Sequence, residues 1–164
     1  MTVIVIMGVS GVGKTTVGQA LARAIDADFA EGDSYHPDAN VEKMRAGRPL
    51  SDVDRWPWLD RLRAEIDGWL RDERRMVLTC SALKAVYRER LMPEAGGVRF
   101  VHLEADRDLI EKRLAARKGH YMPASLLDSQ LAALEAPKGA ITVDAERPLD
   151  ALLADLVALV DDRS

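Results

Sequence analysis

The sequence has only one cysteine, Cys80, and no block of like charges. A single cysteine cannot form an intrachain disulfide, which favours a reducing compartment. The formal net charge is −4 and the basic residues are scattered among acidic ones, so we expect neither nucleic acid nor an anionic membrane as the main partner. The apolar start MTVIVIMG is short and lacks a basic lead, so we expect no signal peptide, no membrane span and a cytoplasmic protein.

The chain also lacks internal repeats, low-complexity tracts and linkers, and its 164 residues suit one domain with a single core. Short apolar runs predict strands buried in a sheet. They cover residues 3–7, 28–30 (the weakest), 76–80, 98–103 and 140–143. Amphipathic periodicity predicts helices between them. Its clearest stretches are 17–25, 59–70, 109–114 and 149–160. The alternation predicts an α/β fold with a parallel sheet and right-handed crossovers.

The phosphate-loop motif GxxxxGK[ST] follows the first predicted strand as GVSGVGKT. Its glycines let backbone N–H groups turn inward around a phosphate, and the helix that starts near Lys14 adds the positive end of its dipole. We expect Lys14 to reach the β- and γ-phosphates and the Thr15 hydroxyl to bind Mg²⁺. The alternative is a glycine-rich turn without a ligand. The predicted nucleotide-binding residues here are Gly8, Val9, Ser10, Gly11, Val12, Gly13, Lys14, Thr15 and Thr16.

Triphosphate binding leaves three uses open, namely a small-molecule kinase, a motor and a switch. A GTPase switch should carry a guanine-reading NKxD segment, and the sequence has none. A motor normally needs a larger body with an oligomeric or nucleic-acid surface. The small single domain therefore favours a small-molecule kinase.

The polar stretch GDSYHPDAN follows the second predicted strand. Ligands of open α/β sheets bind beyond the carboxyl ends of the strands, so this stretch and the phosphate loop should share one rim. Asp33 is our candidate for orienting an acceptor hydroxyl and taking its proton, although it could simply cap the turn. His36 either donates to a substrate hydroxyl or packs beside the next proline. Asp38 and Asn40 are interpreted as turn and helix-cap residues for the segment that carries Lys43.

A second polar cluster is RPLSDVDRWPWLDRL. Ser51 or Asp52 is predicted to cap the helix that follows, with Pro57 in its first turn. Arg55 is harder to explain by capping, because a guanidinium just before an apolar helix often faces a cleft. There it can bind a carboxylate with two parallel hydrogen bonds.

The third strand ends in TCSALKAVYRERL, which places Ser81 at the same rim. Lys84 and Arg88 are four residues apart, so on a helix they share one face, either as an anion clamp or as a solvated surface. We favour the clamp because of its position at the rim. Cys80 is interpreted as a buried small apolar residue rather than a nucleophile.

The segment RLAARKGHYMPASLL concentrates Arg113, Arg117, Lys118 and His120 between a helix and a proline. A mobile basic segment that closes over the phosphates would exclude water and stabilise transition-state charge. Ordinary cations at a helix end, favoured by the dipole, are the alternative.

The chain resembles the gluconokinases, small members of the P-loop kinase group that includes shikimate kinase and the nucleoside monophosphate kinases. The resemblance covers nearly the whole length. It is carried by MGVSGVGKT, GDSYHPDANVEKMRAGRPLSDVDRWPWL, CSALKAVYRERL and RLAARKGHYMPASLLDSQLAALEAP. The middle two segments are the more specific, because generic P-loop kinases do not share them.

The resemblance implies ATP-dependent phosphorylation of D-gluconate at its 6-hydroxyl with Mg²⁺, a three-layer fold with a five-stranded parallel sheet, a mobile lid and commonly a homodimer. The lid is expected at about residues 117–126, with catalytic roles for Lys14, Asp33 and Arg117. Arg113 and Arg117 extend the nucleotide site. The substrate-binding candidates are Asp33, His36, Lys43, Arg55, Ser81, Lys84, Arg88 and His120. A related shikimate or nucleoside monophosphate kinase, or a non-catalytic nucleotide sensor, is the alternative.

Overall fold

The structure is a computed structural model that describes residues 2–116 and 124–160. Within these residues, strands and helices alternate along the chain. The strands are β1 (Val3–Met7), β2 (Asp28–Glu31), β3 (Met76–Thr79), β4 (Val98–Glu104) and β5 (Ile141–Asp144). The α-helices are α1 (Lys14–Ala24), α2 (Asp38–Arg45), α3 (Asp52–Arg71), α4 (Ala85–Leu91), α5 (Arg107–Ala116), α6 (Ala124–Ala133) and α7 (Leu149–Val160).

The strands form one parallel sheet in the order β2-β3-β1-β4-β5. The central strand β1 pairs with both β3 and β4, so that Val5 lies between Leu78 and Phe100. All parallel strands leave the sheet at the same rim, which brings together the segments that follow β1, β2 and β3. The predicted five-stranded parallel sheet is confirmed.

Helices cover both faces of this sheet, and the alternation of side chains along β1 divides the core in two. Ile4 and Ile6 pack on one side with residues of α1 and α7. Val3, Val5 and Met7 pack on the other with residues of α3 and α4. The result is a helix–sheet–helix arrangement in three layers, as predicted, with β1 buried on both faces.

Helix α3 begins earlier than the apolar periodicity indicated. Ser51 is its N-cap: the Ser51 hydroxyl accepts from the Asp54 N–H at 3.1 Å, and the Asp54 carboxylate accepts from the Ser51 N–H at 2.8 Å. This reciprocal capping box fixes the start at Asp52. Pro57 consequently lies inside the helix, in its second turn, so the prediction of Pro57 in the first turn was wrong.

Part of the predicted lid falls outside the described residues, since 117–123 are not described. The last three positions of the predicted range, 124–126, are the first turn of α6. In the part of the chain that the structure describes, no helix combines the length and the apolarity needed to cross a membrane.

Candidate active site

The phosphate loop connects β1 to α1 and is folded tightly against the β4–α5 side of the sheet. Gly13 is the N-cap of α1 in a left-handed conformation (φ 106°). Gly11 also has a positive φ of 87°, and a Cβ there would lie 2.8 Å from the Leu114 side chain. Both positions therefore require glycine, since L side chains rarely adopt these conformations.

Lys14 and Thr15, the first residues of α1, both donate hydrogen bonds to oxygen atoms at the rim of the sheet. The Lys14 ammonium donates to the carbonyls of Gly8 (2.9 Å) and Val9 (3.1 Å), so it lies against the first arm of the loop. The Thr15 hydroxyl donates to the Glu31 carboxylate at 2.7 Å. Glu31 ends β2 and was not singled out in the sequence.

Glu31 also accepts from the Thr79 hydroxyl at 3.1 Å, so one carboxylate links the ends of β2 and β3 to α1. No cluster of three or more His, Cys, Asp or Glu side chains that could hold a metal occurs among residues 2–116 and 124–160. Mg²⁺ usually keeps several waters and takes one or two protein oxygens together with substrate phosphates. The Thr15 hydroxyl, oriented by its hydrogen bond to Glu31, could supply one such protein oxygen.

Arg113 reaches back from α5 to the phosphate loop. Its guanidinium donates to the Val12 carbonyl at 2.5 Å and to the Ala145 carbonyl at 2.8 Å. Beside it lies a cavity of about 360 Å³ that borders the loop. The lining residues are Gly11, Gly13, Thr16, Val17, Arg113, Ala145, Arg147, Leu149 and Leu152.

The stretch after β2 forms a short 3-10 turn, Gly32–Tyr35, at the same rim. Asp33 is in this turn with a side chain that is 70% exposed, and its carboxylate lies 3.9 Å from the Nε2 atom of His36. Helix α3 fixes the backbone of this turn, because the Trp58 indole N–H donates to the Gly32 carbonyl at 2.9 Å. Asp33 is thus an accessible carboxylate on a fixed backbone.

His36 is buried, with a side chain that is 3% exposed and stacked on the Trp58 ring at a centroid distance of 4.0 Å. The Asn40 amide nitrogen donates to the Asp54 carbonyl at 2.9 Å and lies 3.2 Å from His36 Nδ1. Because an NH₂ group faces Nδ1, that atom accepts and the proton sits on Nε2, towards Asp33. Burial lowers the pKa of His36 to about 4, against the opposing effect of Asp33, so the ring is neutral at pH 7.

The prediction that Asn40 caps a helix was therefore wrong. The N-cap of α2 is Pro37, without a side-chain capping bond, and Asn40 is buried. Its amide instead fixes the tautomer of His36. Asp38 occupies the first turn of α2, where a carboxylate suits the helix dipole.

Two lysines among the substrate candidates are each paired with an aspartate from the first turn of α3. Lys43 donates to Asp54 at 2.7 Å, and Lys84 donates to Asp52 at 3.0 Å. The bond from Lys43 is the main reason that the pKa of Asp54 falls to about 2. Both ammonium charges are therefore compensated by protein carboxylates.

Arg55, one residue beyond Asp54, has a different environment. Its Nη1 atom donates to the Leu50 carbonyl at 2.6 Å and to the Tyr87 hydroxyl at 3.2 Å. The Tyr87 hydroxyl in turn donates to Asp52 in a short hydrogen bond. Within the described residues the hydrogen bonds of Arg55 all involve Nη1, so Nη2 and Nε remain as donors for a bound anion.

Arg88 does not join Lys84 in an anion clamp, and that expectation is corrected. Lys84 is the N-cap of α4, and its ammonium donates to Asp52. The buried Arg88 guanidinium donates to the carbonyls of Ala82 (2.7 Å), Leu83 (3.1 Å) and Glu135 (3.0 Å). Arg88 thus fixes the turn between β3 and α4.

Ser81 and Cys80 end the third strand beside the phosphate loop. The Ser81 carbonyl accepts from the Gly8 N–H at 3.3 Å, which ties the rim to the start of the loop. Cys80 is buried, as predicted, and the loss of hydration raises the pKa of its thiol to about 12. Arg117, Lys118 and His120 lie outside the described residues.

A phosphate loop between a buried strand and a helix, with an accessible carboxylate on the same rim of a parallel sheet, is the arrangement that a small-molecule P-loop kinase requires. A family model described as an AAA domain matches residues 3–137. The chain is 48% identical over 161 residues to a gluconokinase of Gluconobacter oxydans (strain 621H), covering 94% of this chain and 88% of that protein.

Solved structures agree with this class. A sugar kinase from Janibacter sp. HTCC2649, in its unliganded form, matches with a TM-score of 0.92 and 40% identity over 99% of this chain and 96% of that one. A gluconokinase from Sinorhizobium meliloti 1021 matches with a TM-score of 0.83 and 42% identity, over 98% and 94%. The chain belongs to the gluconokinase family.

Proposed function

We propose that the chain transfers the γ-phosphoryl group of ATP to the 6-hydroxyl of D-gluconate, giving 6-phospho-D-gluconate and ADP. Family membership supports this activity, and one observation about the site carries it. The phosphate loop is tied to the end of the third strand, because the Gly8 N–H donates to the Ser81 carbonyl at 3.3 Å. The turn after β2 leaves the sheet at the same rim and presents the accessible carboxylate of Asp33 on a backbone that the Trp58 indole N–H holds at Gly32.

Each of these groups has a task in the transfer. The loop N–H groups, Lys14 and Arg113 bind the phosphates, and the Lys14 ammonium exchanges its two carbonyl partners for phosphate oxygens. Asp33 accepts the hydrogen bond of the acceptor hydroxyl and can take its proton. In a largely dissociative transition state its main contribution is to hold that oxygen in line with the γ-phosphate.

The sugar acid is bound by neutral hydrogen-bonding groups and one cation. Arg55 offers Nη2 and Nε to the carboxylate, the arrangement in which a guanidinium binds with two parallel bonds. His36 donates its Nε2 proton to a substrate hydroxyl. Lys43 and Lys84, already paired with Asp54 and Asp52, hold the start of α3 and thereby position Arg55.

Mg²⁺ would be held by the Thr15 hydroxyl and by phosphate oxygens, with Glu31 orienting Thr15, and it would neutralise charge on the transferring group. The adenine would occupy the cavity beside Arg113 and Arg147. Arg117 and His120 stay assigned to a lid over the phosphates and the sugar acid. A homodimer and a reducing cytoplasmic location complete the proposal.

A coupled ADP-release assay tests the substrate. Gluconate should stimulate turnover, whereas shikimate and nucleoside monophosphates should not. Turnover with only one of the latter would overturn the substrate assignment, and no acceptor-dependent turnover at all would indicate a nucleotide sensor.

Asp33→Asn tests the site, because the amide keeps the size of the side chain but cannot take a proton. We expect kcat to fall by about 100-fold or more while ATP affinity changes less than about threefold. Asp38→Asn, at an exposed carboxylate of the same stretch, is the matched control and should leave both unchanged. Equal kinetics for the two variants would remove Asp33 from the mechanism.

A further inference from the structure

Gln130, on α6, makes a two-point contact with the phosphate loop across 120 residues of sequence. Its Oε1 atom accepts from the Ser10 N–H at 2.7 Å, and its Nε2 group donates to the Ser10 hydroxyl at 3.1 Å. One side chain thus satisfies both the backbone donor and the hydroxyl of the same residue. Ser10 cannot rotate or shift without breaking one of these bonds.

Ser10 belongs to the part of the loop that lies nearest the transferred group. It directly follows Gly8 and Val9, whose carbonyls hold the Lys14 ammonium. Because that lysine reaches the β- and γ-phosphates, the arm that Gln130 fixes borders the γ end of the triphosphate.

The same helix is attached to the acceptor side at its other end. Glu135 follows α6, and its carboxylate accepts from the Ala85 N–H at 2.7 Å, capping α4. The Glu135 N–H donates to the Leu83 carbonyl at 2.8 Å, and its own carbonyl accepts from Arg88. These contacts fix the turn that carries Lys84, which donates to Asp52. Asp52 also accepts from the Tyr87 hydroxyl, and that hydroxyl accepts from Arg55.

The connection between the two ends is short, hydrogen-bonded and packed against the core. The Leu134 N–H donates to the Gln130 carbonyl at 3.0 Å, so the helical hydrogen bonding continues to the residue before Glu135. Leu134 also packs against both hydrophobic cores of the molecule. A movement of the phosphate loop relative to the acceptor rim would have to bend this turn.

We propose that Gln130 and Glu135 form a bracket that sets the distance between the phosphate donor and the sugar-acid acceptor, with Gln130 as the positioning residue on the donor side. This inference rests on the proposed transfer to gluconate. Neither residue touches a reacting atom. In-line transfer depends steeply on the separation of the reacting groups, so releasing the bracket slows the chemical step more than it weakens either binding step.

Gln130→Ala tests the bracket. We expect kcat for gluconate-dependent ADP release to fall about 10- to 100-fold. The dissociation constants of a non-hydrolysable ATP analogue and of gluconate should each change less than about threefold. ATP hydrolysis by water should persist, because water needs no fixed acceptor site, so the ratio of transfer to hydrolysis falls with kcat.

Two variants make the comparison specific. Gln19→Ala is the matched control, because Gln19 is exposed on α1 and should show wild-type kinetics. Gln130→Glu keeps an acceptor for the Ser10 N–H and should recover part of the lost kcat. A fall in thermal midpoint with unchanged kcat in Gln130→Ala would overturn the proposal, as would an equal rise in both dissociation constants that accounts for the whole loss.

These outcomes are separate from the fate of the proposed substrate. If wild-type protein turns over with another acceptor, the same variants are compared with that acceptor. The ratio of phosphoryl transfer to ATP hydrolysis then measures the effect of the bracket without reference to gluconate. A wild-type ratio in Gln130→Ala then refutes the bracket whatever the acceptor is.

Discussion

Lowering the pH from 7 to 5 should destabilise the protein through His36. The ring is buried against Trp58 and neutral, with a folded-state pKa of about 4 against an ordinary value of 6.5. Between these two pH values the unfolded chain binds a proton that the folded protein does not bind. The contribution is therefore fully present above pH 6.5 and is lost as the pH falls towards 4.

The size of the effect follows from the two pKa values. From pH 7 to pH 5 the free energy of unfolding should drop by about 2 kcal/mol from His36 alone. For a chain of this length that corresponds to a thermal midpoint lower by about 4 to 8 °C. Asp54, whose pKa is about 2, is lost as a stabilising group only below its ordinary value of 3.8, so it contributes little to the change between pH 7 and pH 5.

The assay is urea or thermal unfolding of the wild type and of His36→Gln at pH 7, 6 and 5. Glutamine carries no titrating group and can still accept from Asn40, so the variant should lose about 2 kcal/mol less than the wild type over this range. The second buried histidine, His102, is present in both proteins, so its contribution to the pH dependence cancels in the comparison. Parallel pH dependence in the two proteins would refute the account of a neutral, buried His36.

Two further substitutions have sharp expectations. Arg55→Lys should raise the KM for gluconate about 10- to 100-fold with little change in the KM for ATP, because an ammonium cannot supply the two parallel donors of a guanidinium. An unaltered KM for gluconate would mean that Arg55 does not bind the gluconate carboxylate. Gly32→Ala should destabilise by about 3 kcal/mol or more, since its Cβ would lie 2.0 Å from the Thr79 carbonyl oxygen in the backbone of β3. Gly68→Ala, in α3 where a Cβ meets nothing closer than 3.4 Å, should be neutral or stabilising; equal losses for the two glycines would contradict the steric argument.

The order of strands and helices was predictable because burial leaves a local pattern. The five-residue apolar run of β1 is buried on both faces and reads as a strand without ambiguity. Strand β2 was predicted at 28–30 and is Asp28–Glu31. Its apolar pattern was weak because both ends of this short strand carry carboxylates. The apolar periodicity placed the start of α3 several residues late, whereas the prediction of Ser51 as a cap is confirmed by its capping bonds.

The site was predictable only where a residue follows a strand closely. Asp33, His36 and Ser81 lie at the expected rim for that reason. Glu31 and Gln130 were missed because their partners, Thr15 and Ser10, are 16 and 120 residues away and no local pattern encodes such contacts.

Arg88 illustrates the opposite error. Spacing of four residues suggested that Arg88 joins Lys84 in an anion clamp. Three carbonyl groups that no motif reveals take up the Arg88 guanidinium instead, and Asp52 takes up the Lys84 ammonium. The individual roles of Lys14, Asp33 and Arg55 in turnover stay predictions.

The burial of Cys80 has a consequence for how this enzyme behaves outside a reducing environment. Burial raises the pKa of the thiol to about 12, which disfavours the thiolate, the form that oxidants and alkylating reagents attack. Cys80 precedes Ser81 at the rim beside the phosphate loop, yet it is 1% exposed. We therefore expect the chain's one thiol to react slowly with oxidants, so that turnover should not require a reducing agent.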